Sequence, residues 1–406
     1  MSNLTSKSYA RQAGSRQVSY GVIQSSAQQL MAKAREATGI SDIIDAEVHE
    51  ALDQALRSLN SEAQLSDAGA HAMEQRLLRL LSNRLRMLRD FRAHPEINEQ
   101  EIVRPVIIPG IARAGSTKLH KMLAASGDFK YMQYWQGHNM SLLSGRRDEK
   151  SAKRIADADE FVRWFDDQTP QAYLTHEYST FEPEEETLIL EHCASLHAVP
   201  IFAFMPTFMQ WTATQSFADK FAFVKQGLKY LQWQFYDGDT RPWILKSPYY
   251  AGLEPVLHST FPDAVFVTAH RRSADVVSSL SSLVQNYYHA YSDSERREQL
   301  GPLMLEFQAM GTESYMQGCD AHPDIKVLDV GYKEICNNGV QVAEQVYAHA
   351  GMELSPIARQ AMWEWEETNR QHKLGVHKYA LADFALTDDM VSKRMAPYIE
   401  RFGHYF

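Results

Sequence analysis

One short run limits what this chain can fold into. Val106-Ile107-Ile108 is apolar and β-branched, which predicts a buried strand. Gly110-Ile111-Ala112-Arg113-Ala114-Gly115-Ser116-Thr117 follows at once, and Leu119, Met122 and Leu123 then recur at helical spacing. A strand, a glycine-bounded loop and a helix in that order form a phosphate-binding turn. Glycines let the backbone come close, and the first N–H groups of the helix point at an anion. Gly110 and Gly115 keep the spacing of the Gly-x-x-x-x-Gly-Lys-Ser/Thr nucleotide loop, but Ser116 stands where the lysine belongs. A nucleotide triphosphatase needs that lysine to neutralise the β and γ phosphates. The cation inside this loop is Arg113, so the loop suits a different anionic nucleotide. An ordinary strand-to-helix turn with a surface arginine is the plainer alternative.

Two later segments repeat the pattern of a strand ending in a basic residue. Trp243-Ile244-Leu245-Lys246-Ser247-Pro248 is a short apolar run stopped by proline. Val265-Phe266-Val267-Thr268-Ala269-His270-Arg271 is another strand with a basic end, and Val276, Val277 and Leu280 then mark a helix. Asp324–Val330 reads as a fourth strand. Strands alternating with helices predict an α/β fold, a parallel sheet covered on both faces. Ligands of such sheets bind beyond the carboxyl ends of the strands, where Arg113, Lys246 and Arg271 all fall.

These segments resemble the sulfotransferases that use 3′-phosphoadenosine 5′-phosphosulfate (PAPS). The matching residues are Arg113-Ala114-Gly115-Ser116-Thr117, Leu245-Lys246-Ser247-Pro248, and His270-Arg271 with Ser279 eight positions after the arginine. Phe261-Pro262-Asp263-Ala264 and the tail Gly375–Phe384 also resemble a large bacterial branch of that family. The resemblance implies a P-loop-type parallel sheet flanked by helices. It implies transfer of a sulfuryl group from PAPS to a hydroxyl, phenolic or hydrophobic, or to an amine of a small-molecule acceptor, with no metal. Arg113 and Lys246 would meet the charge developing on the bridging oxygen. Ala114, Gly115, Ser116, Thr117 and Lys118 would hold the 5′-phosphate. Arg271 and Ser279 would hold the 3′-phosphate, with Lys373, Lys378 or Arg370 helping from the tail. Trp243 or Tyr249 would stack near adenine.

The general base is where the chain departs from its relatives. Tyr249-Tyr250 stands where His-His often follows Lys-Ser-Pro, and Gln136 stands where a glutamate is common. Ala112 and Ala114 replace residues usual in the loop. A base must lie within hydrogen-bond reach of the acceptor proton; His138 and His176, the latter beside Glu177, are the candidates. Glu184–Glu186 open an apolar helical run, and an acidic helix start is favoured by the helix dipole, so capping is preferred to catalysis there. Two other functions stay open. Lys118 could serve a kinase or NTPase as a displaced loop lysine, with Asp329 as its magnesium carboxylate. The fold could also be kept as a non-catalytic interaction protein.

The domain plan is a flexible N-terminus over 1–27, a helical extension over 28–100 and the α/β domain over 101–406. An aromatic acceptor-site insertion is expected at about 130–240 and a C-terminal lid at about 370–406. In the extension, Val48, Leu52, Ala55 and Leu59 mark one helical face, and Leu77, Leu81, Leu85 and Leu88 another. The second helix carries Arg76, Arg79, Arg84, Arg86, Arg89 and Arg92. These read first as a solvated basic face, second as a docking surface for an acidic partner or a second subunit, so a homodimer is one expected assembly. The net charge of −10 argues against nucleic acid as a partner. Three scattered cysteines, no apolar signal core and no run of roughly 18 apolar residues lead to an expected cytoplasmic protein with no membrane span.

Overall fold

Four short strands form the centre: β1 (Val106–Pro109), β2 (Ile244–Ser247), β3 (Val265–His270) and β4 (Val327–Gly331). They come from a computed structural model that describes residues 20–43, 45–173, 178–369 and 379–406. The sheet is parallel throughout, in the order β2-β1-β3-β4. β1 is buried along its whole length because helices cover both faces, which is why it carries an unbroken apolar run. Its neighbours are β2 on one side and β3 on the other. The chain therefore reverses its direction of travel across the sheet beside β1, and a crevice opens beyond the strand tips at that point. In the register, Ile108 lies opposite Lys246 and His270 opposite Gly331. The glycine loop, Lys246, Arg271 and Tyr332 consequently share one end of the sheet.

The helix Ser116–Ala125 packs Leu119, Met122 and Leu123 against this sheet, all fully buried. Burial of each such side chain contributes about 1.5–3 kcal/mol. On the same face of the core lie the helices Ser273–Tyr288, Gly339–His349, Pro356–Thr368 and Ala396–Phe402. The opposite face is filled by Trp135, Leu188, Phe221, Tyr230 and Trp243, among others.

The N-terminal helices span Ala27–Thr38, Ala46–Glu62 and Asp67–Ala93. Their predicted apolar faces are buried, apart from the partly buried Leu88, and pack against the rest of the chain. Leu77 and Leu81 share one core cluster with Phe165, Phe202, Tyr287 and Tyr291 from the rest of the chain. Residues 20–26, expected within the flexible N-terminus, are pinned: Gly21 N donates to Leu65 O at 2.8 Å and Ile23 N to Asn60 Oδ1 at 2.9 Å. Two arginines of the arginine-rich helix depart from the reading of a solvated basic face, while Arg92 stays exposed. Arg76 and Arg84 are buried and ion-paired, Arg76 with Glu191 and Arg84 with Asp45. Their carboxylate partners lie outside the helix, in segments whose proximity only folding creates.

Candidate active site

The loop after β1 is shaped by two left-handed residues, Arg113 at φ 65° and Gly115 at φ 89°. Gly115 caps the helix Ser116–Ala125 with no side-chain hydrogen bond, so the first-turn N–H groups stay available to a ligand. A Cβ at Gly115 would come within 3.1 Å of Tyr332 Cδ2, in addition to its unfavourable φ. A non-glycine residue at positive φ, as at Arg113, is strain held in place by its surroundings. Arg113 Nε donates to Ser279 Oγ at 3.1 Å, and Arg271 Nη1 donates to the Arg113 carbonyl at 2.9 Å. Burial, with Arg271 nearby, pushes the pKa of the Arg113 guanidinium down.

Arg271 lies over the Tyr332 ring at 4.1 Å. Its buried Nε has no hydrogen-bond partner among the described residues, and Asp275 Oδ2 is 3.9 Å from it. Lys246 is only 2% exposed. Its Nζ donates to Thr117 Oγ1 at 3.1 Å and pairs with the Glu185 carboxylate. Its backbone N–H donates to Glu186 Oε2 at 2.8 Å. Burial raises the Glu186 carboxyl well above its ordinary range. The Lys-Ser-Pro order has a local reason: Ser247 Oγ accepts from Tyr249 N at 3.2 Å and Pro248 opens the single turn Pro248–Tyr250. Arg113, Ala114, Gly115, Ser116, Thr117, Lys246, Arg271 and Ser279 therefore meet at one end of the sheet.

Next to this cluster is a cavity of about 130 Å³. Arg113, Thr117, Lys246 and Glu185 form its polar end, and its walls include Phe202, Leu283, Tyr287 and Phe307. Tyr249 also lines it. Burial pushes the phenols of Tyr249 and Tyr287 upward, so both stay protonated near neutral pH.

Other candidates fall elsewhere. Lys118 turns away from the loop: its Nζ donates to Cys336 O at 3.0 Å and pairs with Glu366 at 2.6 Å. Asp329, considered as a magnesium carboxylate, is engaged by Tyr315 OH at 2.5 Å and lies 2.7 Å from His270 Nε2. Trp243 is fully buried at the start of β2, the end remote from the strand tips, and cannot stack on a base. His138 does not line the cavity. It is buried against Tyr134 and Phe161, and burial holds its pKa well below the usual histidine range. His176, Lys373, Lys378 and Arg370 lie outside the described residues. Sequence reasoning gave Glu185 a capping role, and its pairing with Lys246 across 61 positions had no local signal. Among the described residues, no group of three or more His, Cys, Asp or Glu could hold a metal ion, and no helix is long and apolar enough to cross a membrane.

Comparison with known proteins agrees with this geometry. A family model described as the sulfotransferase family matches residues 105–356, more than half of the chain. The crystal structure of sulfotransferase STF1 from Mycobacterium tuberculosis H37Rv is similar at TM-score 0.73 and 25% identity, covering 91% of this chain and 98% of that one. That of sulfotransferase STF9 from Mycobacterium avium gives TM-score 0.80 at 19% identity, covering 93% and 96%, a likeness that speaks for the fold alone. No curated protein matches the chain. With a family match over that length, and strand-tip cations grouped around a glycine loop, this chain belongs to the sulfotransferase family.

Proposed function

We propose that the enzyme transfers a sulfuryl group from PAPS to a hydroxyl, or to an amine, of a small acceptor held in the apolar cavity. The observation that carries this reading is the meeting of Arg113, Lys246 and Arg271 around an uncapped helix start. The residues fit a nucleotide with phosphates at both ends of its ribose. The helix start with Ser116 and Thr117 suits a 5′-phosphate. Arg271, whose Nε has no hydrogen-bond partner among the described residues, suits the 3′-phosphate together with Ser279.

PAPS would supply the activated sulfuryl group. In the transfer, a bond forms between the acceptor oxygen and sulfur while the bond from sulfur to the phosphate oxygen breaks. Lys246 neutralises the charge left on that phosphate oxygen, and Arg113 shares it. The proton released by the acceptor needs a base at the polar end of the cavity. Glu185, which lines the cavity and pairs with Lys246, is the group we assign. The base thus moves from His138, whose ring is buried elsewhere. Burial of the acceptor in an apolar chamber keeps water from competing for the sulfuryl group.

The test is incubation of the whole chain with PAPS and a panel of phenols, alcohols and amines, following release of 3′,5′-adenosine bisphosphate and the sulfated product. Acceptor-dependent release supports the reading. No transfer to any acceptor, together with no binding of the bisphosphate at millimolar concentration, overturns it.

A further inference from the structure

Arg76 lies on an N-terminal helix that the phosphate-site residues do not include, yet it reaches the wall of the cavity. Its Nη2 pairs with Glu191 Oε1 at 2.5 Å, and the two side chains are only 3% and 2% exposed. Its guanidinium lies over the Phe202 ring at 3.7 Å, and its Nη1 donates to Tyr291 OH at 3.5 Å. Glu191 and Phe202 both line the cavity. One side chain from the N-terminal helix therefore holds two wall residues.

Glu191 is oriented but not saturated. Arg79 Nη2 is 3.7 Å from its Oε2, beyond hydrogen-bond range, and that Nη2 is itself buried without a hydrogen-bond partner. No hydrogen bond to Oε2 occurs among the described residues. A carboxylate on the cavity wall with one oxygen free of hydrogen bonds among the described residues favours a ligand that brings a donor and disfavours one that brings a second negative charge. Of the two other cavity carboxylates, Glu185 is opposed by Lys246, and Glu184 Oε1 accepts from Glu185 N at 2.9 Å.

We propose that Glu191 is a specificity residue of the cavity, positioned by Arg76, and that it selects molecules carrying an ammonium or hydroxyl donor in addition to the reacting group. The occupant is called an acceptor only on the strength of the function proposed above. The preference itself depends on the cavity alone.

The probes are tyramine and 3-(4-hydroxyphenyl)propionate, matched phenols that differ in an ammonium and a carboxylate. Their affinities are measured by thermal shift on the full chain, with and without 3′,5′-adenosine bisphosphate. The wild type is expected to bind tyramine about tenfold more tightly or better. Glu191→Gln and Arg76→Met are each expected to bring the ratio close to one, and Arg76→Lys to retain part of it. Bisphosphate affinity is expected to be unchanged in all of them. Where Arg76→Met alone fails to fold, the double variant Arg76→Met/Glu191→Gln removes both charges and avoids a stranded one. It is expected to give the same ratio near one. Equal affinities in the wild type, no response to tyramine at millimolar concentration, or an unchanged preference in Glu191→Gln or in the double variant overturns the proposal. Failure of the wild type to bind the bisphosphate counts against the nucleotide reading and leaves the comparison of the two phenols intact.

Discussion

Arg271→Ala removes a guanidinium that donates to the Arg113 carbonyl at 2.9 Å and whose Nε has no hydrogen-bond partner among the described residues. In the nucleotide reading, those remaining donors meet the 3′-phosphate. One charge-assisted hydrogen bond contributes about 1.5–3 kcal/mol. One to two such bonds give a loss near 3 kcal/mol, about a hundredfold in Kd for 3′,5′-adenosine bisphosphate. Adenosine 5′-monophosphate has no 3′-phosphate, so its affinity should change by less than about threefold. The assay is thermal shift at a ligand concentration of 100 times the wild-type Kd. There the wild type gains about 2.7 kcal/mol, and the variant only about 0.4 kcal/mol. For a chain of 406 residues that is roughly 3 °C against about 0.5 °C. The comparison between nucleotides is what makes the test strict. If affinity for both falls in parallel, Arg271 acts only by holding the loop through the Arg113 carbonyl. If neither falls, the 3′-phosphate does not sit there, and the reasoning fails.

Other outcomes follow from the same contacts. Lys246→Met should lower kcat by about a hundredfold to a thousandfold, as loss of one group facing transition-state charge does, with bisphosphate affinity little changed; initial rates with saturating PAPS check this, and an unaltered kcat refutes the assignment. Lys118→Ala should leave bisphosphate affinity within about twofold and cost about 1 kcal/mol of stability or less, because its amine serves Cys336 O and Glu366 rather than a phosphate; a large loss of affinity would contradict that. Glu254 gives a pH-dependent stability. Burial pushes its carboxyl from an ordinary 4.5 up to about 7, so the folded chain holds this proton more tightly than the unfolded one. Its contribution is fully present below about pH 4.5 and is lost as pH rises through about 7, up to about 3 kcal/mol in all. Denaturant unfolding from pH 5 to 8 should therefore show a decline that Glu254→Gln flattens; an equal slope in the variant would assign it to other groups.

What could be read from the chain and what could not differ in the range over which the information is stored. The β1 strand, its glycine loop and the following helix are legible because apolar spacing, positive φ at Gly115 and an uncapped helix start all lie within some twenty consecutive residues. Lys246 and Arg271 were placed by a rule of equal simplicity: parallel strands put their following residues at one end of the sheet. The helical faces of the N-terminal extension were visible from leucine spacing, but periodicity states only that a face is buried, not what covers it. Hence Arg76 and Arg84 looked solvated, while their carboxylate partners lie 115 and 39 positions away. His138 stands out in the sequence only by its neighbourhood in the chain, and its ring packs against Tyr134 and Phe161.

The sequence alone determined the parallel sheet, the loop at its edge and the set of cations at its tips, because each depends on local backbone chemistry and strand direction. Only the tertiary structure decided which carboxylates answer those cations, which aromatic residues wall the cavity, and that the N-terminal helices belong to it. Those choices come from packing between segments far apart in the chain, and short-range spacing carries no record of such contacts.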